Sequence, residues 1–241
     1  MPEGRSSRIT GKRALTLLGG AAALVLVGVG AVALNSAPSD AALETQPTAA
    51  PASEETLGAV VPTNQPNELP TDQTVSLAGL SPAVAAQLQY VIDHWNAPNS
   101  ASYGYLDDSD CVNFTSQSLL VRGWTQSDEW WNAQTGDALD TSPAWRSSTA
   151  FRDWLSGHAE LATALDDSQR DQLAVGDIVQ FDWDNSGDRD HTGIVTKIER
   201  NADGSISVYY AGHTDDTLVR SVDWAILVNH PGGTAYYWHV R

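Results

Sequence analysis

The chain carries one cysteine in 241 residues, within Asp107-Asp108-Ser109-Asp110-Cys111-Val112-Asn113-Phe114-Thr115-Ser116-Gln117. An aspartate-rich loop runs here into a segment that reads as a helix, so the thiol sits where the helix begins. The first peptide N–H groups of a helix are unpaired and its dipole is positive there, and both effects favour the nucleophilic thiolate. Asp107, Asp108 and Asp110 oppose this if their carboxylates point at the sulfur. A cysteine nucleophile needs a base, and the base needs an orienting partner. His191 is the candidate base, placed at the start of a strand just after the polar turn Asn185-Ser186-Gly187-Asp188-Arg189-Asp190. An antiparallel return brings residues near His213 alongside it, so His213 is the candidate third member. Thr214, Asp215 and Asp216 compete for that role, and on residue types alone six histidines leave several pairings open.

The elements that must hold these residues can be read in chain order. Ser81-Pro82 opens a helix with Ser as cap and Pro in the first turn, and Val84, Leu88, Val91 and Trp95 form its apolar stripe. The helix stops near Asn96, because Ala97 precedes Pro98. His94 on it reads as a surface or satisfied histidine. A polar loop over 99–110 leads to the Cys111 helix, capped by Ser109 or Asp110, running to about Val121 and ended by Gly123. Residues 124–146 read as an irregular insertion with Trp124, Trp130, Trp131 and Trp145, which either cover a core or line a substrate groove. A helix over Ser147 to Ser156 follows, with Ala150, Phe151, Trp154 and Leu155 inward. The period then changes to two: strands over 178–183, 191–199 and 205–214, a hairpin turn at Asn201-Ala202-Asp203-Gly204, a short helix over 221–228 and a last strand over 235–240. Helices first and an antiparallel sheet second make the class α+β.

Composition bounds the setting. Arg5, Arg8, Lys12 and Arg13 precede an uncharged run from Ala14 to Leu34, so residues 1–34 read as a signal peptide or a signal anchor. The run is long enough to span a bilayer, where about 20 apolar residues are needed. Ala31-Val32-Ala33 and Ser39-Asp40-Ala41 both resemble cleavage sites, so the segment is either released or retained as a single-span anchor. Residues 35–75 form a disordered Ala/Pro/Thr linker, too poor in apolar surface to order itself. All nine tryptophans lie beyond it, which leaves residues 76–241 as one domain with one core. Beyond residue 34 the chain holds nine basic and twenty-nine acidic residues, with Lys197 its only lysine. That balance excludes nucleic acid and docking on anionic lipid, which need cations. Membrane contact is left to the N-terminal segment alone, and a monomer is expected. A lone cysteine in an exported chain forms no internal disulfide, so the fold stands on its core.

Metal chemistry finds little support. Asp182, Asp184, Ser186 and Asp188 recur like the start of a calcium loop with Gly187 sixth, but Gly193 stands where the twelfth-position Glu belongs. There is no paired Cys or His-x-His spacing for zinc. No metal and no cofactor is expected, although the sequence leaves calcium at the acidic turn 182–190 open.

Three blocks resemble the putative amidase domain family of exported bacterial proteins, within the papain-like superfamily that includes the CHAP and NlpC-type cell-wall hydrolases. They are Asp110 to Gln117, the pair formed by Val175 to Asp184 and Asp190-His191-Thr192-Gly193-Ile194-Val195-Thr196, and Ala235-Tyr236-Tyr237-Trp238-His239-Val240. The resemblance implies a papain-like fold, with the cysteine helix packed on a small antiparallel sheet. It implies Cys111 as nucleophile, His191 as base and His213 as third member. It also implies hydrolysis of an amide through a thioester acyl-enzyme, with the Cys111 N–H in the oxyanion hole. The expected substrate is cell-wall peptide or a related amide. The alternatives are a non-catalytic surface or glycan-binding module on the same fold, and an acyltransferase.

Overall fold

The computed structural model describes residues 73–133 and 140–241, all of them in one compact unit. The expected signal segment, its cleavage sites and nearly all of the linker lie outside these residues. Among the described residues no helix is long and apolar enough to cross a membrane.

Among the described residues, six α-helices and six strands follow in order. Helix α1 spans Pro82–His94, α2 Ser100–Tyr103, α3 Cys111–Arg122, α4 Pro143–Arg146 and α5 Ser148–Ser156. Strands β1 (Ala162–Asp166), β2 (Ile178–Asp182), β3 (His191–Arg200), β4 (Ile206–Gly212) and β5 (Thr217–Ser221) come next. Helix α6 (Val222–Trp224) continues into a π turn at Ala225–Asn229, and β6 (Thr234–Val240) closes the chain. The sheet is antiparallel throughout, in the order β1-β6-β2-β3-β4-β5. The α+β class expected from the sequence is what the chain adopts.

Local signals explain the helix ends. The Ser81 hydroxyl accepts the Val84 N–H at 3.4 Å and Pro82 occupies the first turn of α1. Gly123 ends α3 at φ 117, a left-handed conformation that a Cβ would strain. The Ser147 hydroxyl caps α5 by accepting the Ala150 N–H at 3.3 Å.

Two apolar clusters sandwich the sheet. On one face α1, α3 and α5 bring Leu88, Val112, Phe114, Phe151 and Leu155 against Ile178, Ile194 and Trp238. On the other, Leu173, Val222 and Ala225 pack against Val179, Phe181, Val195 and Tyr210. Strand β2 is therefore buried at every position, and only its side-chain direction alternates.

Helix α3 is unusual in that Cys111 to Leu119 are all buried, five of them polar. Most of these polar groups have partners. Asn113 Oδ1 accepts Trp145 Nε1–H at 2.8 Å, Ser116 Oγ accepts Trp130 Nε1–H at 3.0 Å, and Gln117 Oε1 accepts the Tyr90 hydroxyl. Trp130 and Trp145 are fully buried, so for these two the insertion covers a core. Residues 134–139 of that insertion lie outside the described residues. The sequence alone does not announce β1, β5, α2 or the turns at Asp107–Ser109 and Asp167–Gln172, and α4 lies within the stretch expected to be irregular.

Candidate active site

Cys111 is the first residue of α3, where the N–H groups have no partner within the helix. Asp110 sits at the cap position, but its carboxylate caps nothing. Oδ1 accepts the Leu106 N–H at 2.9 Å and Asn113 Nδ2–H at 2.8 Å, and Oδ2 faces His213 Nδ1 at 2.6 Å. Asp110 thereby turns toward a partner of its own, though its charge still raises the thiol pKa.

What touches the sulfur comes from elsewhere. Ser148 Oγ, the first side chain of α5, lies 3.6 Å from Cys111 Sγ. Gln180 Nε2 donates to Thr192 Oγ1 at 3.1 Å, and Thr192 Oγ1 donates to Ser148 Oγ at 2.9 Å. The Ser148 hydroxyl hydrogen is not used by Thr192, so it can be donated to a thiolate at Cys111, while a neutral thiol can donate to the second lone pair of the same oxygen. Gln180 is itself fixed, donating to Ser148 O at 2.9 Å and accepting Trp238 Nε1–H at 2.9 Å. Burial pushes the Cys111 thiol pKa up, while the Ser148 hydroxyl and the N–H groups of Thr192 and Val112 pull it down. Two helix N-termini, those of α3 and α5, thus converge on the sulfur. The sequence reading missed Ser148, Thr192 and Gln180. The available signal was that Gln180 and Thr192 are polar at alternating strand positions pointing into the helix side.

His191 opens β3, paired with Phe181 on β2. Its side chain leaves the strand opposite to that of Thr192, as alternation requires. The ring packs among Phe181, Trp183 and Tyr210, with centroids 5.9, 6.0 and 5.9 Å away. Burial lowers its pKa to about 4, with Arg220 acting in the same direction, so the imidazole is neutral at pH 7 and a weaker base than a solvated histidine. Gly212 makes room for it: a Cβ there would stand 3.0 Å from His191 Nε2. No hydrogen bond joins His191 to Cys111 among the described residues. The neighbouring Thr192 points its N–H at the sulfur, while the imidazole leaves β3 toward Phe181 and Tyr210 on the other face of the sheet, so the structure does not bring the His191 ring onto Cys111. Cys111 is also within electrostatic reach of Tyr210, on which the imidazole packs.

His213 is placed differently from the sequence expectation. Its Nδ1 faces Asp110 Oδ2 at 2.6 Å, its Nε2 faces His94 O at 2.8 Å, and its ring stacks on Phe114 at 4.1 Å. Both nitrogens are occupied, so neither orients His191 here. His213 ties α1, α3 and the end of β4 together. Among its sequence competitors, Asp215 pairs with Arg220, and both act on His191 through space.

Cys111 is 5 % exposed and lines a cleft of about 370 Å³, together with Arg146, Ser148, Thr149, Asp190 and Thr214. A larger concavity of about 530 Å³ lies elsewhere, lined by Trp131, Trp154 and the carboxylates of Asp128, Glu129 and Asp153. Its lining carries Thr141, Ser142 and His158 but no cysteine. Of the tryptophans in the insertion, Trp131 lines this groove.

In the acidic turn, Asp182, Asp184, Asp188 and Asp190 each offer an oxygen within 4.8 Å of the others. Asp182 is buried and accepts the N–H groups of Ser186 and Gly187 at 3.1 and 2.9 Å. Asp190, rather than Ser186, completes the carboxylate cluster. The turn directs Asp190 back onto the Trp183 N–H at 2.7 Å and so fixes the entry into β3.

Comparison with known proteins adds to this geometry. Two curated Bacillus subtilis (strain 168) proteins are similar. The uncharacterized protein YjcM is 27% identical over 165 residues, covering 65% of this chain and 36% of YjcM. The uncharacterized protein YhbB is 27% identical over 114 residues, covering 45% of this chain and 35% of YhbB. The matched region thus spans about a third of the length of each relative. No solved structure matches the chain. The family model described as "Putative amidase domain" matches residues 83–238, which include Cys111, His191 and the strands between and after them.

Proposed function

We propose, from the premise that this chain belongs to the putative amidase domain family, that it hydrolyses an amide bond with Cys111 as nucleophile and His191 as base. The observation that carries this reading is the convergence of donors on one sulfur: the Ser148 hydroxyl and the N–H groups of Thr192 and Val112. Donors aimed at sulfur stabilise the thiolate, and they remain in place for the negative charge that develops on an attacked carbonyl oxygen. His191, neutral at pH 7, takes the thiol proton. Because His191 sits at the open start of β3 and leaves it away from α3 in the free chain, this role requires the ring to turn round the strand end to reach the sulfur when substrate binds. Attack by sulfur forms a thioester and releases the amine, to which the imidazolium returns the proton. Water activated by the same ring then hydrolyses the thioester.

The setting we assign is outside the cytoplasm, as the basic, apolar first 34 residues suggest. The substrate we assign is cell-wall peptide. The carboxylate-rich surface deters nucleic acid and anionic lipid but leaves a short peptide free to enter the cleft. The papain-like topology is part of the same proposal. Digestion of purified peptidoglycan with mass analysis of the fragments tests it. Wild type should release new amine and carboxyl ends and Cys111→Ala none; equal release by both would end the reading.

A second reading, a binding module without turnover, is favoured by one observation, the Trp131–Trp154 concavity. A thiol-reactive probe separates the two. Selective labelling of native Cys111 near pH 7 supports the enzyme, and labelling only after unfolding supports the binder.

A further inference from the structure

We infer that the Cys111 cleft selects amide substrates carrying a free carboxylate close to the scissile bond, held by Arg146 and the first turn of α5. This inference rests on Cys111 being the nucleophile. Cations are scarce in the chain: nine follow residue 34, and two of them, Arg146 and Arg189, line this one cleft. The two differ in availability. The Arg189 guanidinium stacks 3.5 Å from the Tyr236 ring centroid, donates to Asp188 O and lies 3.8 Å from Asp182. It is committed to holding the acidic turn on the sheet. Arg146 is exposed and makes no hydrogen bond or ion pair among the described residues.

Its position is set by the chain. Arg146 ends α4, Ser147 caps α5, and Ser148 contacts the sulfur. The free guanidinium is thus two residues from a side chain that touches the nucleophile, with the positive end of α5 between them. A carboxylate meeting Arg146 is paired by planar, two-pronged donors. The adjoining acidic turn, tied to the start of α5 by the Thr149–Arg189 hydrogen bonds, carries Asp188 and Asp190, whose carboxylates already accept from Ser186 Oγ–H and the Trp183 N–H. These repel an anion, so the cleft has a positive and a negative wall. A peptide lies across it in one sense, with its carboxylate toward α5 and its neutral or cationic part toward the acidic turn.

Alkylation of Cys111 in the full chain by iodoacetate and by iodoacetamide tests this. The reagents form the same S–C bond and expel the same iodide, differing in a carboxylate against a neutral amide. Relative to free cysteine, wild type should favour iodoacetate by roughly two- to fivefold at low ionic strength, and added salt should erode the preference. Arg146→Gln should abolish it. Arg152→Gln, the same charge change on an arginine bound to Asp153 and Gly187 O, should retain it. An iodoacetate-to-iodoacetamide ratio equal to that of free cysteine, or one unchanged in Arg146→Gln, overturns the carboxylate site while leaving the nucleophile intact. Failure of both reagents to label the folded chain overturns the nucleophile and this inference with it.

Discussion

Ser148 Oγ lies 3.6 Å from Cys111 Sγ while accepting the Thr192 hydroxyl hydrogen at 2.9 Å, so the hydroxyl that meets the sulfur is held from behind by β3. Ser148→Ala removes the side-chain donor that opposes the upward push of burial on the thiol. Iodoacetamide labelling of Cys111 at pH 7 should slow by roughly three- to tenfold. Stability should fall by only about 1 kcal/mol, because Thr192 loses one acceptor. Urea unfolding beside the labelling rate checks both.

Asp110 and His213 are each about 1 % exposed and bond across 2.6 Å. Removing one partner strands the other away from water. His213→Ala or Asp110→Ala should cost about 3 kcal/mol, read as a melting temperature lower by roughly 6–12 °C. If His213 acted on the imidazole instead, its loss would lower activity with little change in melting temperature.

His191 gives the fold a pH dependence. Its pKa is about 4 in the folded chain against an ordinary value of 6.5. Between those values the unfolded chain binds a proton that the folded chain does not, so stability rises with pH across this window. The contribution is fully present above pH 6.5 and lost as pH falls toward 4, about 3 kcal/mol in all. Wild type should lose more stability than His191→Gln between pH 7 and pH 4. Parallel urea midpoints for the two proteins over that range would contradict this.

Gly212 is a spatial requirement of the imidazole rather than a turn. A Cβ there stands 3.0 Å from His191 Nε2 and 3.5 Å from Thr192 O. Gly212→Ala should shift the ring and lower kcat by at least roughly tenfold, with KM changed much less. A histidine ring signal unmoved by the substitution would contradict the contact.

Much of this was legible in the sequence, for reasons that differ by residue. Ser81-Pro82, Gly123 and Ser147 announce helix ends because capping is local chemistry. The strands at 178–182 and 191–200 announce themselves by composition. β1 and β5 did not: Ala-Thr-Ala-Leu-Asp and Thr-Leu-Val-Arg-Ser are short edge strands, and their pairing supplies the information their side chains lack. Strand order correctly suggested that the chain returns near His191. The side on which His213 would emerge depends on register. Ile194 opposes Ala211, which sets His213 level with Thr192, on the helix side, and not with His191. A shift of one residue reverses every side chain, and no local pattern encodes it. Ser148 and Thr192 escaped notice for a related reason: single hydroxyls become chemistry only when a distant sulfur arrives.

The most direct test of the central claim is the mass of the Cys111 peptide after acid quench during turnover of peptidoglycan fragments. The account predicts that Cys111 carries the acyl half of the cleaved amide as a thioester in wild type. It also predicts that His191→Ala forms the adduct at least roughly a hundredfold more slowly. Steady hydrolysis with an unmodified Cys111, persisting in Cys111→Ala, would contradict it.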